Sequence, residues 1–313
     1  LLVPETWLTV IWVVIAQAIS GIAKDLNKMS AKSSMKSIAR DQDAGLYRIV
    51  AFLTGSKNAL KGAGFFIGAV LLSWLEFQGA IAVMVAMLSV VWLMSLLLLR
   101  QELGVMKAKP KFSQIFSKSE AVNRLSLARF FLFGARDVWF VVALPVFLHE
   151  VLGWDFWQVG GYLAAWVIIY GMIQAAAPKL TGQSQAPDVV GRQLVVFGGC
   201  LALTPAAIGL ALSYGLSPVF VVTVGLLIFA LLFAMNSALH SFLIVRFARD
   251  EGASLDIGFY YMANAGGRLA GTVGSGALYQ WMGLEACLWV SAGLIAMASV
   301  AAMSLPKGEV GTA

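Results

Sequence analysis

Nine stretches of about twenty mostly apolar residues constrain this chain more than any other feature of its sequence. A helix of that length crosses a bilayer, and in lipid each backbone amide must be satisfied within its own segment. Of the 313 residues, 60% are hydrophobic and only 12% are charged. The sequence therefore predicts an all-α integral membrane protein. We place its spans at residues 6–26, 55–75, 79–99, 125–148, 157–177, 192–213, 217–240, 258–281 and 285–304.

Lysine and arginine are concentrated in alternate loops between these spans. The intervening turns hold no Lys or Arg and carry Glu5, Glu76, Glu150, Asp155 and Glu285. Because cytoplasmic loops accumulate Lys and Arg, we expect the chain to start outside the cell and to end in the cytoplasm. The net charge of +6 then lies next to anionic lipid of the inner membrane, and no nucleic-acid partner is needed to explain it.

The spans are distributed unevenly around the most polar segment, residues 100–124. Secondary transporters are often two six-helix bundles joined by a cytoplasmic linker. We therefore expect residues 1–99 to be a partial N-terminal bundle, residues 100–124 the linker, and residues 125–313 a C-terminal six-helix bundle. The chain begins with Leu1 and not with Met. On this interpretation it contains nine of twelve helices and lacks the first three.

A weak internal repeat relates the two halves. A shift of 207 residues aligns residues 56–75 with residues 263–282 and pairs Lys61 with Arg268. Small residues line both segments, and in membrane helices such residues form close-packing surfaces. We predict that role for Gly64, Gly68, Gly267 and Gly271.

Several charged residues fall inside the predicted spans. A charge at the bilayer centre costs about 2.5–3.5 kcal/mol, so such residues usually face a cavity or a partner. Four are positive and one is negative, a net charge of +3: Lys57, Lys61, Arg136, Arg268 and Asp137. Arginine and lysine bind phosphate-like oxyanions. The sequence therefore predicts a midplane site for an anionic small molecule.

Other polar residues extend this candidate site. Arg129 precedes Arg136 by seven residues on nearly the same helix face, and either touches the substrate or extends to the inner interface. Asn58 and Asn264 are neutral candidates for substrate contact. Gln17, Asn236 and His240 are further polar residues within spans, and the place of His240 favours an interfacial role.

The acidic residues allow two interpretations. Asp137 either forms a structural salt bridge with Arg136 or carries the transported proton. Lys24 and Asp25 end the first span and are candidates for an ion pair at an inner gate. Cys200 and Cys287 are single thiols on separate spans, so we expect both to pack. No Gly-rich phosphate loop or metal cluster occurs in the sequence, so it predicts neither a cofactor nor an ATP-driven pump.

Three segments resemble the ArsJ organoarsenical exporters of the major facilitator superfamily: QAISGIAKDLNKMSAKSSMK (17–36), LTGSKNALKGAGFFIGAVLL (53–72) and FLFGARDVWFVVALPVFL (131–148). The resemblance runs through the whole chain. It implies a two-bundle fold in a bacterial inner membrane and export of 1-arseno-3-phosphoglycerate, which confers arsenate resistance. Glyceraldehyde-3-phosphate dehydrogenase makes this compound when arsenate replaces phosphate, which implies a functional link to that enzyme. The usual Gly-Pro of the antiporter motif is Gly64-Phe65 here, so proton antiport is an inference.

Other functions stay open at this stage. The protein could export another organic anion, a sugar or a drug, although a sugar or drug site should be mainly neutral or aromatic. It could also be a membrane enzyme or a sensor, but the sequence has no nucleophile and base at plausible spacing. An exporter of an organic anion explains the buried cations better than these alternatives.

Overall fold

Helices make up almost all of the described chain. The computed structural model describes residues 12, 15, 16, 18–27, 46–98, 119–182, 186–249 and 252–306. Residues 18–27 are helical. The helices that follow are α1 (Leu46–Leu98), α2 (Glu120–Phe140), α3 (Ala143–Glu150), α4 (Phe156–Leu180), α5 (Pro187–Ser213), α6 (Pro218–Phe247) and α7 (Ala253–Met303). The all-α prediction is confirmed for these residues, whereas Glu5, Gln17 and most of the predicted linker 100–124 lie outside them.

The described helices have the length and apolarity that a bilayer requires. Six helical segments are long and apolar enough to cross a membrane: Val70–Leu98, Glu120–Glu150, Phe156–Leu180, Asp188–Ser213, Pro218–Phe247 and Ala253–Met303. Two of the long helices each join two predicted spans. α1 is kinked at Glu76, where φ is 54°, and α7 is kinked at Gly283, where φ is 73°.

The kink at Gly283 folds α7 back on itself. The Ser291 hydroxyl donates to the Ala135 carbonyl of α2 at 2.7 Å, and Gly267 packs against the Phe130 carbonyl of the same helix. In a straight helix, residues 267 and 291 would be about 36 Å apart, whereas residues 130 and 135 of α2 are separated by only about 7.5 Å. The two parts of α7 therefore lie side by side along α2, as the two predicted spans require.

The predicted span at residues 125–148 is confirmed, but its helix is not continuous. The helix is interrupted at Val141 and Val142, which separate α2 from α3. Pro145 explains the position of the break, because it has no N–H to donate to the Val141 carbonyl and its ring crowds that carbonyl. The Ala143 amide donates instead to the Ser275 hydroxyl of α7, at 3.0 Å.

Glycines allow α2 to pack directly against α7. A Cβ on Gly267 would overlap the backbone of Phe130, and one on Gly271 would lie 2.5 Å from the Gly134 carbonyl oxygen. The predicted packing role of Gly267 and Gly271 is confirmed. Because the two backbones touch, polar side chains on the facing edges of α2 and α7 are brought within hydrogen-bond distance.

The predicted packing role of the matching glycines of α1 stays a prediction. A Cβ on Gly64 or Gly68 would meet no atom within 4 Å in the described part of the chain. Other glycines of α1 make close contacts with α4: a Cβ on Gly55 would overlap the backbone of Gly171 and Ala175, and one on Gly62 would lie 2.9 Å from the Ala164 carbonyl oxygen. In the described part of the chain, the face of α1 that packs on α4 is therefore the one that carries Gly55 and Gly62.

Aromatic side chains fill the space between α2, α4 and α6. Trp139, Trp166, Phe229 and Phe233 are each at most 1% exposed. Trp139 packs edge-to-face on Trp166 and on Phe229, with centroid distances of 5.8 and 5.0 Å. This cluster packs α2 against α4 and α6.

The two cysteines differ in their surroundings. Cys287 is buried and its thiol contacts the Ser275 carbonyl, as the packing prediction requires. Cys200 is exposed on the surface of α5, so the packing prediction is wrong for this residue.

Candidate functional site

A fully buried carboxylate holds two arginines from different helices. Asp137 of α2 has no exposed side-chain surface. It accepts a hydrogen bond from Nε of Arg136 at 2.7 Å and another from Nε of Arg268, on α7, at 2.8 Å. Each carboxylate oxygen binds one guanidinium. Asp137 thus joins the two helices where their glycines bring the backbones into contact.

Lys61 of α1 adds a third cation to this group. It lies within electrostatic range of Arg136, Arg268 and Asp137, and also of Lys24 in the helical residues 18–27. We call Lys61, Arg136, Asp137 and Arg268 the charged layer. Three cations and one carboxylate give it a net charge of +2, and Lys24 raises this to +3.

The cations of the charged layer are more accessible than its carboxylate. The Arg268 side chain is 43% exposed and that of Arg136 is 13% exposed, whereas Asp137 is completely covered. Arg268 uses only its Nε toward Asp137. The guanidinium groups therefore cover the carboxylate, and the Arg268 side chain is the more exposed of the two arginines.

A second group of polar side chains lies about two turns earlier along α2. Arg129, only 5% exposed, donates to the Ser237 hydroxyl of α6 at 3.0 Å and to the Asn264 side-chain oxygen of α7 at 3.2 Å. The Gln174 amide of α4 also donates to Ser237, and the Asn58 amide of α1 donates to Gln174 at 2.6 Å. We call these five residues the amide layer. It connects α1, α2, α4, α6 and α7.

Arg129 has neutral hydrogen-bond partners only. No carboxylate pairs with it in the described ranges, and its guanidinium carbon lies 3.8 Å from the ring centroid of Phe133. The guanidinium carbon of Arg136 lies 4.9 Å from the same ring, so Phe133 lies beside both arginines. A cation–π contact in a desolvated place contributes about 2 kcal/mol, which offsets part of the cost of burying Arg129.

Most of the predicted site residues come together in these two layers. Lys61, Arg136, Asp137 and Arg268 form one layer, and Asn58, Arg129 and Asn264 belong to the other. Lys24 contributes only its charge, and both Lys57 and Asp25 lie on exposed faces of their helices.

The other polar candidates lie elsewhere. Asn236 donates to the Leu194 carbonyl of α5, and His240 is buried among other side chains one turn further along α6. Its place relative to the membrane interface stays a prediction. Sequence reasoning missed Gln174, Ser237 and Tyr170, whose hydroxyl donates to Ser237 at 3.2 Å. Only Gln174 had a usable signal, as an uncharged polar residue inside an apolar span.

Comparison with known proteins agrees with this architecture. The sequence profile of the Major Facilitator Superfamily matches residues 1–272. A crystal structure of a bacterial homologue of the iron transporter ferroportin in the outward-facing state is similar, with a TM-score of 0.66 and 15% sequence identity. The match covers 84% of this chain and 64% of that chain, and at this identity it shows the fold alone. No curated protein matches the chain significantly. The family match covers most of the chain, which therefore belongs to the Major Facilitator Superfamily.

Proposed function

We propose that this protein is a secondary transporter that exports a small organic anion. The charged layer carries this proposal, because three cations from three helices surround one buried carboxylate and leave a net positive charge. A neutral sugar or drug would leave that charge unbalanced, and a metal cation would be repelled by it. Family membership favours a transporter over a membrane enzyme or sensor.

The anion that fits best carries an acidic group at each end. Arg136 and Arg129 lie on one face of α2, separated by seven residues or about 10.5 Å along the helix axis. The charged layer can bind one oxyanion, and Arg129 in the amide layer can balance a second. Hydrogen bonds to charged groups contribute about 1.5–3 kcal/mol each, so both ends would add to the affinity.

Within this class we propose 1-arseno-3-phosphoglycerate as the substrate. It carries a phosphate at one end and an acyl arsenate at the other, and the resemblance to the ArsJ exporters favours it. The protein would then lie in a bacterial inner membrane with its C-terminus in the cytoplasm and confer arsenate resistance. Its function would be linked to glyceraldehyde-3-phosphate dehydrogenase, and proton antiport would drive export.

Uptake into everted vesicles that contain the full-length protein tests this proposal. We expect arsenic to accumulate when arsenate is supplied with the dehydrogenase, glyceraldehyde 3-phosphate and NAD, and not when arsenate is supplied alone. Equal uptake under both conditions would contradict the organoarsenical assignment. Arg136→Gln should abolish uptake, whereas Arg192→Gln, which neutralises a mostly exposed arginine on α5, should not.

A further inference from the structure

We infer that Asp137 is a positioning residue, which holds Arg136 and Arg268 as one anion-binding surface and is not the carrier of a transported proton. The inference rests on the proposed function and concerns the same site. Its basis is the arrangement of the charged layer, in which one carboxylate binds an arginine of its own helix and an arginine of α7.

The burial of Asp137 favours a role in holding the two arginines and not in direct contact with the ligand. Its side chain is 0% exposed, while 43% of the Arg268 side chain is exposed. A ligand that reaches the exposed part of Arg268 meets the guanidinium group before the carboxylate. Arg268 contacts Asp137 through Nε, so its guanidinium has further N–H donors that this hydrogen bond does not use.

The backbone fixes the position of the carboxylate. The Cβ of Asp137 lies 3.1 Å from the place where a side chain on Gly271 would begin, so α7 closely confines the aspartate. The short side chain reaches both guanidinium groups from this fixed point.

Charge explains why the three cations need such a partner. Lys61, Arg136 and Arg268 repel one another, and Lys24 adds to the repulsion. With Asp137 neutralised, nothing in the described part of the charged layer would oppose this repulsion. The arginines would then turn away from each other, and an oxyanion would lose its paired donors. Loss of Asp137 should therefore weaken anion binding at any pH and leave the turnover rate nearly unchanged.

Exchange of 3-phosphoglycerate by the purified full-length protein in proteoliposomes, at equal pH on both sides, separates this role from proton transfer. This stable probe has a phosphate and a carboxylate, and exchange needs no net proton movement. We expect Asp137→Asn to raise the KM about tenfold or more at every pH tested, with a maximal rate within about twofold of the wild type. Arg268→Gln should act similarly, and the double variant should be no worse than Arg268→Gln alone.

The outcomes are distinct. Exchange by Asp137→Asn with the wild-type KM, combined with loss of transport driven by a pH gradient, would overturn the inference and identify a proton carrier. Additive effects in the double variant would also overturn it. If Asp137→Asn does not fold, the KM of the double variant is compared with that of Arg268→Gln: equal values support the inference, and a higher KM in the double variant overturns it. Failure of the wild type to bind or exchange any two-ended anion would instead refute the proposed function.

Discussion

The two layers of the site each contain an arginine on the same face of α2, and their surroundings differ sharply. Arg136 is paired with Asp137 and is 13% exposed, whereas Arg129 is 5% exposed and in the described chain meets neutral acceptors and the rings of Phe133 and Tyr260. The comparison shows two ways of keeping a cation within a membrane. The charged layer shares one carboxylate among several cations, while the amide layer surrounds one cation with fixed dipoles.

This difference predicts a division of function. The charged layer has surplus positive charge and its Arg268 side chain is 43% exposed, so it can bind an anion with little desolvation of its own. The amide layer has already desolvated Arg129 and keeps its donors fixed, so an anionic group that reaches it gains a preorganised partner. We therefore expect the charged layer to bind every anion, and the amide layer to add affinity only for anions with a second charged end.

The largest effect should come from disturbing both layers together. Gly267→Leu places a side chain against the backbone of Phe130, and no flexible side chain there can move aside. We expect a loss of about 3 kcal/mol of stability, at the upper end for overpacking. Thermal unfolding in detergent measures it. Gly64→Leu is the matched control, because Gly64 has no neighbour within 4 Å in the described ranges, and equal destabilisation by both changes would contradict the packing of α2 on α7.

Loss of a positive charge from the charged layer should weaken the binding of all anions to a similar extent. Arg268→Gln removes a guanidinium that is partly exposed, and we expect binding of inorganic phosphate and of 3-phosphoglycerate to fall about 10- to 100-fold. Arg268→Lys keeps the charge but loses the planar guanidinium, so its affinity for both anions should lie between those of the wild type and Arg268→Gln. Unchanged phosphate affinity in Arg268→Gln would remove Arg268 from the site.

Loss of the positive charge from the amide layer should weaken the binding of 3-phosphoglycerate and leave the binding of inorganic phosphate unchanged. Arg129→Gln removes a buried charge that has no carboxylate partner in the described chain, so the unfolding temperature should not fall. We expect 3-phosphoglycerate to bind about tenfold more weakly, because one charge-assisted contact is lost, while inorganic phosphate is unaffected. Equal losses for both anions would show that the two layers do not differ in function.

The smallest effect should arise where the amide layer reaches α1. Asn58→Ala removes the hydrogen bond to Gln174, and polar contacts between membrane helices contribute about 0.6 kcal/mol on average. We expect a change of less than about threefold in transport rate. A double-mutant cycle with Gln174→Ala measures the coupling between the two residues, and strictly additive losses would contradict a direct contact.

The sequence predicted the helices well, because span length and apolarity follow directly from the thickness of a bilayer. It also found the charged layer, since a charge within a span is rarely placed without a partner or a ligand. The break at Val141 and Val142 was missed although Pro145 is visible in the sequence. A proline is tolerated in many membrane helices, so its effect depended here on Ser275 of α7.

The amide layer was only half predictable. Arg129, Asn58 and Asn264 were identified as polar residues within spans, but their connection depends on Ser237 and Gln174 from other helices. Serine is common in membrane helices and gives no signal until its neighbours are known. The glycines show the same limit, since composition reveals a small-residue surface but does not tell which face of α1 another helix covers.

Equilibrium binding of 3-phosphoglycerate to the purified full-length protein tests the central claim most directly. The wild type and Arg192→Gln should bind with equal affinity, and Arg136→Gln should bind at least about tenfold more weakly while its unfolding temperature shows that it is folded. Binding by folded Arg136→Gln with the affinity of the wild type would contradict a site built on the charged layer.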